Sequence, residues 1–227
     1  MKRSISVVLP AYNEEKNIKK AVENALSALE KISDDYEVIV IDDGSKDKTG
    51  EIANSLQTEK VRVIRHEKNK GYASALRTGF ESAKKELIFF TDADNQFDLG
   101  ELRKFVPLVN YADVIVGYRM NRKDPLHRLI MSKGYNFLIK ILLGIKVRDV
   151  DCAFKLFKRE VLQNIGIEHK GWLVNTELLA KIVKKDYKIK EVPVMHYPRT
   201  EGRSTVKPVS TIINTFLDLI KLKFELL

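Results

Sequence analysis

Residues 87–94 read Leu-Ile-Phe-Phe-Thr-Asp-Ala-Asp, an apolar run that ends in two carboxylates one residue apart. A continuous apolar run of this length is typical of a strand that is covered on both faces. Two upstream segments have the same character, Ser6-Val-Val-Leu9 and Val38-Ile-Val-Ile41, and polar residues follow each of them. Buried strands with polar carboxyl ends predict a sheet whose functional side chains gather at one edge.

Helix-patterned segments separate these strands. Between 14 and 31, for example, Ile18, Val22, Ala25 and Leu29 recur at the spacing of one helix face. The alternation of short strands and amphipathic helices predicts the α/β class, with a parallel, doubly wound sheet flanked by helices. The predicted strands of this first part are Ile5–Leu9, Glu37–Ile41, Val61–Arg65, Leu87–Thr91 and Val114–Gly117, and the predicted helices cover 14–31, 48–57, 72–84 and 99–109.

After Arg119 the pattern becomes less regular, but no linker-like stretch separates two domains. We therefore predict one domain over residues 1–227 with an embellished second half. The predicted elements of that half are strands at Ala153–Phe157 and Ile189–Val194, and helices at 126–144, 159–164, 172–184 and 209–227, of which the last has one apolar face.

Composition excludes several classes of protein. Of the 227 residues, 44% are hydrophobic and 31% are charged, as in folded domains rather than disordered chains. The single cysteine, Cys152, excludes an intrachain disulfide and a multi-cysteine metal site. No apolar run reaches the roughly 20 residues of a membrane-spanning helix, and no signal-peptide pattern precedes the first strand. The sequence thus predicts a cytoplasmic location.

Charge is distributed unevenly along the chain. Residues 1–118 contain 18 Lys and Arg against 20 Asp and Glu, whereas residues 119–227 contain 22 against 11. The net charge of +9 therefore comes from the second half. This asymmetry indicates an anionic partner, such as nucleic acid, a membrane surface or a phosphorylated ligand, or equally a solvated lysine-rich surface.

The end of the fourth predicted strand has the composition of a cation site. Asp92 and Asp94 can both reach one divalent cation if the backbone turns there, and Mg²⁺ or Mn²⁺ takes one or two carboxylates beside phosphate and water oxygens. Such a cation neutralises a diphosphate leaving group. The alternative is a helix cap for the segment 99–109.

Asp42 and Asp43, at the end of the second strand, can equally form a turn or a helix cap or take part in a binding site.

Other phosphate-binding and hydrolytic sites lack their motifs. Where a dinucleotide-binding domain has Gly-x-Gly-x-x-Gly, residues 10–15 read Pro-Ala-Tyr-Asn-Glu-Glu, and neither a Walker A loop nor a Gly-x-Ser-x-Gly elbow occurs. The four histidines are too scattered to predict a zinc site. A phosphatase of the haloacid dehalogenase kind would carry Asp-x-Asp near the chain start, whereas here the motif follows the fourth strand.

An ordered set of motifs resembles a known family. The set comprises Val7-Val-Leu-Pro-Ala-Tyr-Asn-Glu-Glu15, Val40-Ile-Asp-Asp-Gly-Ser45, Asn69-Lys-Gly71 with Ala75-Leu-Arg-Thr-Gly79, and Phe90-Thr-Asp-Ala-Asp94. Together these segments resemble the large inverting GT-A glycosyltransferase family, and the resemblance extends over about residues 4–207. The later segments Gly117–Arg119, Asp149–Phe157 and Arg199–Ser204 are similar to the branch that includes dolichyl-phosphate mannose and glucose synthases.

The resemblance implies a GT-A fold, with a nucleotide-sugar half over about 1–118, an acceptor half over about 119–208 and a C-terminal amphipathic helix over 209–227. It also implies bound Mg²⁺ or Mn²⁺, a GDP- or UDP-hexose donor and a polyisoprenyl phosphate acceptor at a membrane surface. The residues so implied are Pro10, Tyr12, Glu14 and Asp42 or Asp43 around the nucleoside, Asp92, Asp94 and Gln96 around the metal and diphosphate, and Arg119, Arg128, Ser132, Arg199 and Ser204 on donor or acceptor phosphates.

The chain departs from the family pattern in three places. Thr205 stands where relatives often have Lys, with Lys207 as the nearest substitute, and Cys152-Ala-Phe154 replaces the usual Cys-Gly-Phe. Asn175 stands where an acidic residue is frequent, which leaves Glu177 as the only carboxylate of that segment. The last departure weakens the case for a general base.

A phosphate acceptor is chemically consistent with these residues. A sugar hydroxyl normally needs a positioned base to become a nucleophile, whereas a phosphate monoester, with a second pKa of about 6, is mostly dianionic at neutral pH. It requires electrostatic holding, for which arginine forks suit phosphate oxygens better than lysine. Arg119, Arg128, Arg199 and Arg203 of the basic half meet that requirement.

These observations predict metal-dependent transfer of a hexose, mannose or glucose, from a nucleotide sugar to a polyisoprenyl phosphate with inversion. In this interpretation the protein lies on the cytoplasmic face of a membrane without spanning it. Two alternatives stay open: a glycosyltransferase that acts on a hydroxyl group of a glycan or lipid, and a basic membrane-binding module that has kept a nucleotide pocket. The sequence favours neither GDP nor UDP.

Overall fold

The computed structural model describes residues 3–122, 126–168, 173–202 and 218–225, with the backbone alone for 126–128. The strands are β1 (Ile5–Ala11), β2 (Tyr36–Asp42), β3 (Val61–Arg65), β4 (Leu87–Thr91), β5 (Val114–Met120), β6 (Phe154–Lys158) and β7 (Ile189–Met195). The helices are α1 (Ile18–Glu30), α2 (Thr49–Ser55), α3 (Tyr72–Ser82), α4 (Leu126–Leu143), α5 (Arg159–Asn164), α6 (Val174–Lys184) and α7 (218–225).

The seven strands form one sheet in the order β3-β2-β1-β4-β6-β5-β7. The pairs among β1, β2, β3 and β4 are parallel, and so is the pair of β5 with β7. Every residue of β1, β2 and β4 is buried, in agreement with their apolar runs. The α/β class and a mostly parallel sheet flanked by helices are therefore confirmed.

β6 is the exception to the parallel arrangement, because it runs antiparallel to both β4 and β5. Its first residue, Phe154, lies opposite Thr91, the last residue of β4. The chain therefore stays at the carboxyl edge of the sheet after β5 and enters β6 from that edge. As a result, the segment between α4 and β6 lies at the same edge of the sheet as Asp92 and Asp94, which follow β4.

The predicted helix over 99–109 is wrong, since two 3₁₀ helices occupy this segment, Leu99–Lys104 and Val106–Asn110. Pro107 explains the break. A proline inside an α-helix lacks the N–H of one helical hydrogen bond and its ring clashes with the preceding turn. Here it lies in the first turn of the second 3₁₀ helix, where no such bond is lost.

The predicted C-terminal helix over 209–227 is described only in part. Residues 218–225 are helical, and Leu219 and Leu222 are buried, so this part of the helix packs on the body of the protein. Residues 209–217, 226 and 227 lie outside the described residues. Among the described residues, no helix combines the length and the apolar character needed to cross a membrane.

The carboxyl ends of β1 and β4 frame a crevice. The chain continues from β1 to β2 on one side, while β4 lies on the other side of β1, so this is a point where the strand order reverses. Ligands of open α/β sheets bind at such points. Pro10, in β1, stands two residues beyond the last β1–β4 pair, Val8 with Phe90, and opposite Ile41 of β2. Its missing N–H therefore costs no ladder hydrogen bond to β4.

Candidate active site

Two partly buried carboxylates follow β4. The hydroxyl of Tyr72, at the start of α3, donates to Asp92 Oδ1 over 2.8 Å. Burial, and then the negative charge of Asp94, raise the pKa of Asp92 to about 7. Burial also raises the pKa of Asp94, although a hydrogen bond from the backbone N–H of Gln96 and the charge of Arg199 oppose the rise. The two carboxylates thus repel each other in a place where a cation would relieve the repulsion.

The alternative role of these residues, as a cap for the following helix, is not observed. The side chain that caps the first 3₁₀ helix is Asp98, whose Oδ1 accepts from the N–H of Gly100 over 2.8 Å. Asp94 instead accepts from the N–H of Gln96 over 3.1 Å, within the turn after β4. The carboxylates of Asp92 and Asp94 are therefore not engaged in starting a helix.

The oxygen donors of this turn fit a hard divalent cation. Mg²⁺ and Mn²⁺ bind through one or two carboxylates and complete their coordination with phosphate oxygens and water. In the described parts of the chain, no group of three or more His, Cys, Asp or Glu side chains could hold a metal. A cation at Asp92 and Asp94 would therefore need further oxygen ligands from a substrate. Gln96 uses its side-chain N–H on the carbonyl of Tyr197, so its amide oxygen is the atom left for a cation.

Arg199 joins the segment after β7 to the end of β1. Its Nη2 lies 2.6 and 2.7 Å from the two carboxylate oxygens of Glu14, and its Nη1 lies 3.8 Å from Asp94 Oδ2. Burial raises the pKa of Glu14, although Asn17 and Arg199 oppose the rise through hydrogen bonds. Arg199 therefore lies across the crevice between β1 and β4.

A cavity of about 280 Å³ opens beside this contact. Among the sequence-predicted nucleoside residues, Tyr12 and Glu14 line it, whereas Pro10 is buried within β1. Its lining comprises Tyr12, Asn13, Glu14, Glu15, Lys16, Asn17, Asp47 and Gly202. It lies at the carboxyl end of β1, where a nucleotide site is expected in this kind of sheet.

Asp42 and Asp43 are buried and point to groups of the protein itself. Asp42 accepts from the N–H of Ser45 over 2.9 Å, and Arg65 Nε lies 3.1 Å from its other oxygen. Asp43 Oδ1 lies 2.7 Å from His66 Nδ1 and accepts from Lys70 N, and its Oδ2 accepts from Gly71 N. Neither residue lines the 280 Å³ cavity, so a nucleoside contact for either one stays a prediction.

The placement of Asp43 nevertheless affects the carboxylate pair. Asp43 holds the backbone at Gly71, and α3 begins at the next residue, Tyr72, whose hydroxyl reaches Asp92. Gly44 allows this arrangement, since its φ is +68° and a Cβ there would lie 2.4 Å from the carbonyl carbon of Lys68. The Asp-Asp-Gly turn after β2 thus sets the position of a side chain that contacts Asp92.

A second cluster, from the basic half, surrounds Arg119 at the end of β5. Arg119 Nε and Nη2 donate to the two oxygens of Asp149 over 2.7 and 2.8 Å. Burial disfavours the charged form of both groups, but the hydrogen bonds and the attraction between Arg119 and Asp149 are stronger than this effect. The pKa of Arg119 is therefore raised and that of Asp149 is lowered. Three of the five N–H groups of the guanidinium lie outside these two bonds. Nearby, Ser132 Oγ accepts from Arg122 Nη1 over 3.0 Å.

Glu177 lies in the interior of the protein. Its side chain is fully buried, and its Oε1 accepts from the N–H of Glu168 over 2.7 Å and from Lys181 Nζ over 2.8 Å. These bonds fasten the segment before α6 to the helix itself. The sequence-predicted residues Arg203 and Ser204, with Thr205 and Lys207, lie outside the described residues, as does the side chain of Arg128.

Four residues of this region were not among the site residues predicted from the sequence: Tyr72, Asp47, Arg122 and Lys155. Tyr72 follows the motif Asn69-Lys-Gly71, and Asp47 follows Asp42–Ser45 by two positions, so slightly longer motifs would have included both. Lys155 interrupts the apolar run of a predicted strand, and an ionisable residue at a buried position is a signal in itself. Arg122 carried no signal that distinguishes it from other surface arginines.

Comparison with known proteins agrees with this architecture. The sequence profile of glycosyl transferase family 2 matches residues 6–166. Human dolichyl-phosphate beta-glucosyltransferase is 34% identical over 201 residues, which cover 78% of this chain and 62% of that protein. Dolichol-phosphate mannosyltransferase of Pyrococcus furiosus is 32% identical over 216 residues, which cover 89% and 59%. Glycosyltransferase AglD of Haloferax volcanii is 32% identical over 234 residues, which cover 98% and 37%.

Solved structures share the fold at lower identity. Glucosyl-3-phosphoglycerate synthase from Mycobacterium tuberculosis, in complex with Mn²⁺, UDP and phosphoglyceric acid, superposes with a TM-score of 0.76 at 20% identity and covers 99% of this chain and 78% of that one. The chain spans 37% to 62% of the length of the three sequence relatives. The profile nevertheless covers most of the chain, and the chain belongs to glycosyl transferase family 2 and has the GT-A fold of its glycosyltransferases.

Proposed function

We propose that this chain transfers a hexose from a nucleotide sugar to a polyisoprenyl phosphate, with inversion at the anomeric carbon and with the help of Mg²⁺ or Mn²⁺. The observation that carries the proposal is the meeting of a carboxylate pair, Asp92 and Asp94, with two arginines, Arg119 and Arg199, at one edge of the sheet. A diphosphate donor needs the first feature, and an anionic acceptor needs the second.

Two sequence relatives bear names that agree with this substrate class, a dolichyl-phosphate glucosyltransferase and a dolichol-phosphate mannosyltransferase. The structural neighbour with Mn²⁺ and UDP supports a metal-bound nucleoside diphosphate in this fold. Mannose and glucose are thus the first sugars to test, and GDP and UDP the first nucleotides.

In the proposed reaction, an acceptor phosphate oxygen attacks the anomeric carbon on the face opposite the diphosphate, and the bond from that carbon to the diphosphate breaks. When bound, the metal supplies a Lewis acid that neutralises the charge on the leaving diphosphate. Asp92 and Asp94 would hold it, and Tyr72 orients Asp92 through its hydrogen bond. Arg119 would bind the acceptor phosphate through the N–H groups that Asp149 does not take.

The proposal assigns no general base. An acceptor phosphate is already mostly ionised at neutral pH, and Glu177, the carboxylate of the α6 segment, is committed to Lys181 and the backbone of Glu168. At the position where related sequences often have an acid, the side chain of Asn175 accepts a hydrogen bond from Lys155. The alternative of a hydroxyl acceptor would need a base that these contacts do not provide.

A membrane-bound acceptor also requires access to a lipid surface, and we propose that the chain lies on the cytoplasmic face of the membrane through α4. Ile130, Phe137 and Ile141 of this helix are each more than 60% exposed, whereas Ile139 on its other side is fully buried. An apolar stripe on a helix that is already packed on one side suits the boundary between headgroups and acyl chains.

The test is a transfer assay with labelled GDP-mannose, GDP-glucose and UDP-glucose, a short polyprenyl phosphate or the free polyprenol as acceptor, and Mn²⁺ or excess chelator. We expect labelled lipid from the phosphate only, with one donor preferred and no product in chelator. Product from the polyprenol alone would establish the hydroxyl-acceptor alternative. Nucleotide binding without product on either acceptor would favour the membrane-binding module.

A thermal-shift series with GDP and UDP in the presence of Mn²⁺ identifies the nucleotide independently of the acceptor. A ligand at 100 times its Kd adds about 2.7 kcal/mol to the free energy of unfolding, which is enough to separate the preferred base from the other. Equal shifts for both nucleotides would contradict a specific donor site.

A further inference from the structure

Lys155 is a buried cation in the middle of β6. Its side chain has no solvent exposure, and its strand neighbours are Phe90 of β4 and Val116 of β5, both also fully buried. In the described residues it is the only lysine or arginine that is buried. Burying a charge is costly unless the charge is paired and fully hydrogen-bonded, so its presence in this strand calls for a specific set of partners.

The ammonium group has three partners. Its Nζ donates to the carbonyl of Val150 over 2.9 Å, to the carbonyl of Cys152 over 2.5 Å and to Asn175 Oδ1 over 3.0 Å. An ammonium has three N–H donors, and these three acceptors account for all of them. Lys155 therefore has no donor to offer a substrate, and its effect is to tie the segment 150–152 to the first turn of α6.

The segment that Lys155 holds is the one that holds Arg119. Asp149, which accepts from both the Nε and the Nη2 of Arg119, directly precedes Val150. Val150 is also fixed from the other side, since its N–H donates to Asn136 of α4 over 3.1 Å. Without Lys155, the two carbonyls would lose their common donor, and the backbone that carries Asp149 would lose one of the contacts that fix its position.

Fold stability alone does not require a lysine here. Phe154, Leu156 and Phe157 are fully buried apolar residues at the neighbouring positions of β6. A hydrophobic residue in place of a buried ion is often neutral or stabilising when its partners are also replaced. What the ammonium group of Lys155 does specifically is to fix the backbone of the segment 149–152. The first residue of that segment, Asp149, binds Arg119.

We infer that Lys155 is a positioning residue that holds the guanidinium of Arg119, through Val150 and Asp149, in the orientation needed to receive the acceptor phosphate. The inference rests on the proposed function, since it assumes that Arg119 binds that phosphate. It concerns acceptor binding first, because the donor cavity and Glu14 are reached from other elements. The charge of Lys155 also acts on Asp92, whose pKa it lowers, so a variant that keeps the charge is needed beside one that removes it.

The test compares the kinetic constants of Lys155→Met with those of the wild type on a short polyprenyl phosphate. Methionine fills a similar volume without charge or N–H groups. We expect KM for the acceptor to rise by up to about 100-fold, the cost of a misplacement of about 1 Å. KM for the nucleotide sugar should rise much less, through the lost effect of the Lys155 charge on Asp92. An unchanged acceptor KM in a folded, nucleotide-binding variant would overturn the inference.

Lys181 provides a matched control. Its Nζ also makes three bonds, to the carbonyl of Gly166, to Glu168 and to Glu177, and it too fastens a segment to α6. These partners are distinct from Asp149 and Val150, the residues that Arg119 and Lys155 bind. Lys181→Met should lower thermal stability and leave the acceptor KM unchanged. An equal rise of the acceptor KM in both variants would mean that loosening α6 is sufficient, and would count against a specific role for Lys155.

Two further variants keep the test decisive if Lys155→Met does not fold. Asn175→Leu removes one of the three acceptors and keeps the charge, and it should raise the acceptor KM severalfold with the donor KM unchanged. Asp149→Asn, alone and combined with Asn175→Leu, forms a double-mutant cycle. Non-additive effects on the acceptor KM are expected, since both act through Arg119, and additive effects would contradict the inference. If the wild type itself transfers no sugar to polyprenyl phosphate, the proposed function fails before Lys155 is tested.

Discussion

At the residue scale, the negative charges of Asp92 and Asp94, after β4, repel each other. Their placement therefore indicates a role in chemistry rather than in folding. Neither caps the helix that follows. Burial raises the pKa of both groups, and the charge of Asp94 raises the pKa of Asp92 further. A side chain that is costly to the fold and lies at a strand-order reversal is a strong candidate for function.

Replacement of Asp94 by Asn should therefore remove activity and leave the fold intact. The variant loses a proposed metal ligand, and the rate should fall by about 10²–10³-fold or more, the range seen when one group that stabilises developing charge is removed. Its melting temperature should equal or exceed that of the wild type in chelator, because the repulsion with Asp92 is gone. A wild-type rate in the variant, or an undiminished wild-type rate in excess chelator, would refute the metal assignment.

Tyr72 offers a subtler test, because its hydroxyl donates to Asp92, a proposed metal ligand. Tyr72→Phe removes the 2.8 Å hydrogen bond and keeps the ring. Loss of a group that orients a metal ligand typically costs 10–100-fold in metal affinity or activity, so about that rise is expected in the Mn²⁺ concentration for half-maximal rate. Tyr36→Phe, at the opposite edge of the sheet, is the control. If both variants need the same Mn²⁺ as the wild type, Tyr72 does not orient Asp92.

The pair Glu177→Gln and Arg199→Lys distinguishes a phosphate acceptor from a hydroxyl acceptor. Glu177→Gln should lower the free energy of unfolding by about 1–3 kcal/mol, because a buried charge-assisted bond to Lys181 is weakened, yet leave the rate nearly unchanged. A lost general base costs about 10²–10⁴-fold. Arg199→Lys should cost more, since an ammonium cannot reproduce a planar fork. A Glu177→Gln enzyme crippled on every acceptor beside a near-normal Arg199→Lys enzyme would reverse the assignment.

At the scale of single elements, α4 has two distinct faces. Ile139 is fully buried, while Ile130, Phe137 and Ile141 are exposed along a stripe that continues through Gly134. Lys133 and Lys140 are exposed beside this stripe. The two interpretations of this amphipathic helix, packing on the body of the protein and lying on a membrane, therefore apply to different faces of the same helix.

Phe137→Asp should weaken binding to vesicles that contain anionic lipid, because it places a charge in the exposed stripe. Binding of the wild type should also fall with salt, since each lysine near an anionic surface contributes about 1 kcal/mol that ions screen. Flotation at low and high salt measures both effects. Tyr111→Asp, at an exposed aromatic residue outside α4, is the control. Failure of the wild type to float at low salt would leave α4 without a membrane role.

At the scale of the whole molecule, the two ends of the strands differ in role: the carboxyl ends carry the candidate site, and the amino ends carry contacts that stabilise the fold. The carboxyl edge carries the carboxylate pair, Arg119 and Arg199. At the other edge, Glu37 of β2 accepts from Ser6 of β1, from Arg62 of β3 and from the backbone of Lys84 before β4. One buried carboxylate thus connects four consecutive parts of the first half. Both halves of the chain contribute strands to the one sheet, which supports the proposal of a single domain over 1–227.

The pKa of Glu37 is lowered, because burial would raise it but the hydrogen bonds from Ser6, Lys84 and Arg62 outweigh that effect. A carboxyl group with a lower pKa in the folded than in the unfolded state adds stability above the unfolded value of about 4.3 and loses it as the pH falls through the folded value. Glu37→Gln should thus be less stable than the wild type by about 1–3 kcal/mol at pH 7. The difference should shrink below about pH 4, with activity at neutral pH unchanged. Parallel stability curves from pH 7 to pH 3 would contradict this.

Much of the first half follows from the sequence alone. The apolar runs at 5–9, 37–41 and 87–91 become fully buried strands, and Asp92 and Asp94 emerge at the edge where parallel strands end. These features are local: a side-chain pattern sets which segments are strands, and a shared strand direction then sets where their ends lie. At 99–109 the apolar spacing predicts an α-helix, but Pro107 interrupts it and two 3₁₀ helices form instead.

The sites of the second half depend on contacts between residues that are far apart in the chain. Glu14 and Arg199 are 185 residues apart and lie 2.6 Å from each other, and the direction of β6 is set by where the chain re-enters the sheet. The three bonds of Lys155 and the inward turn of Asp43 likewise depend on backbone groups of other segments. Sequence patterns report which face of an element is apolar, but the partner of a buried charge is decided only when the elements pack and every donor must find an acceptor.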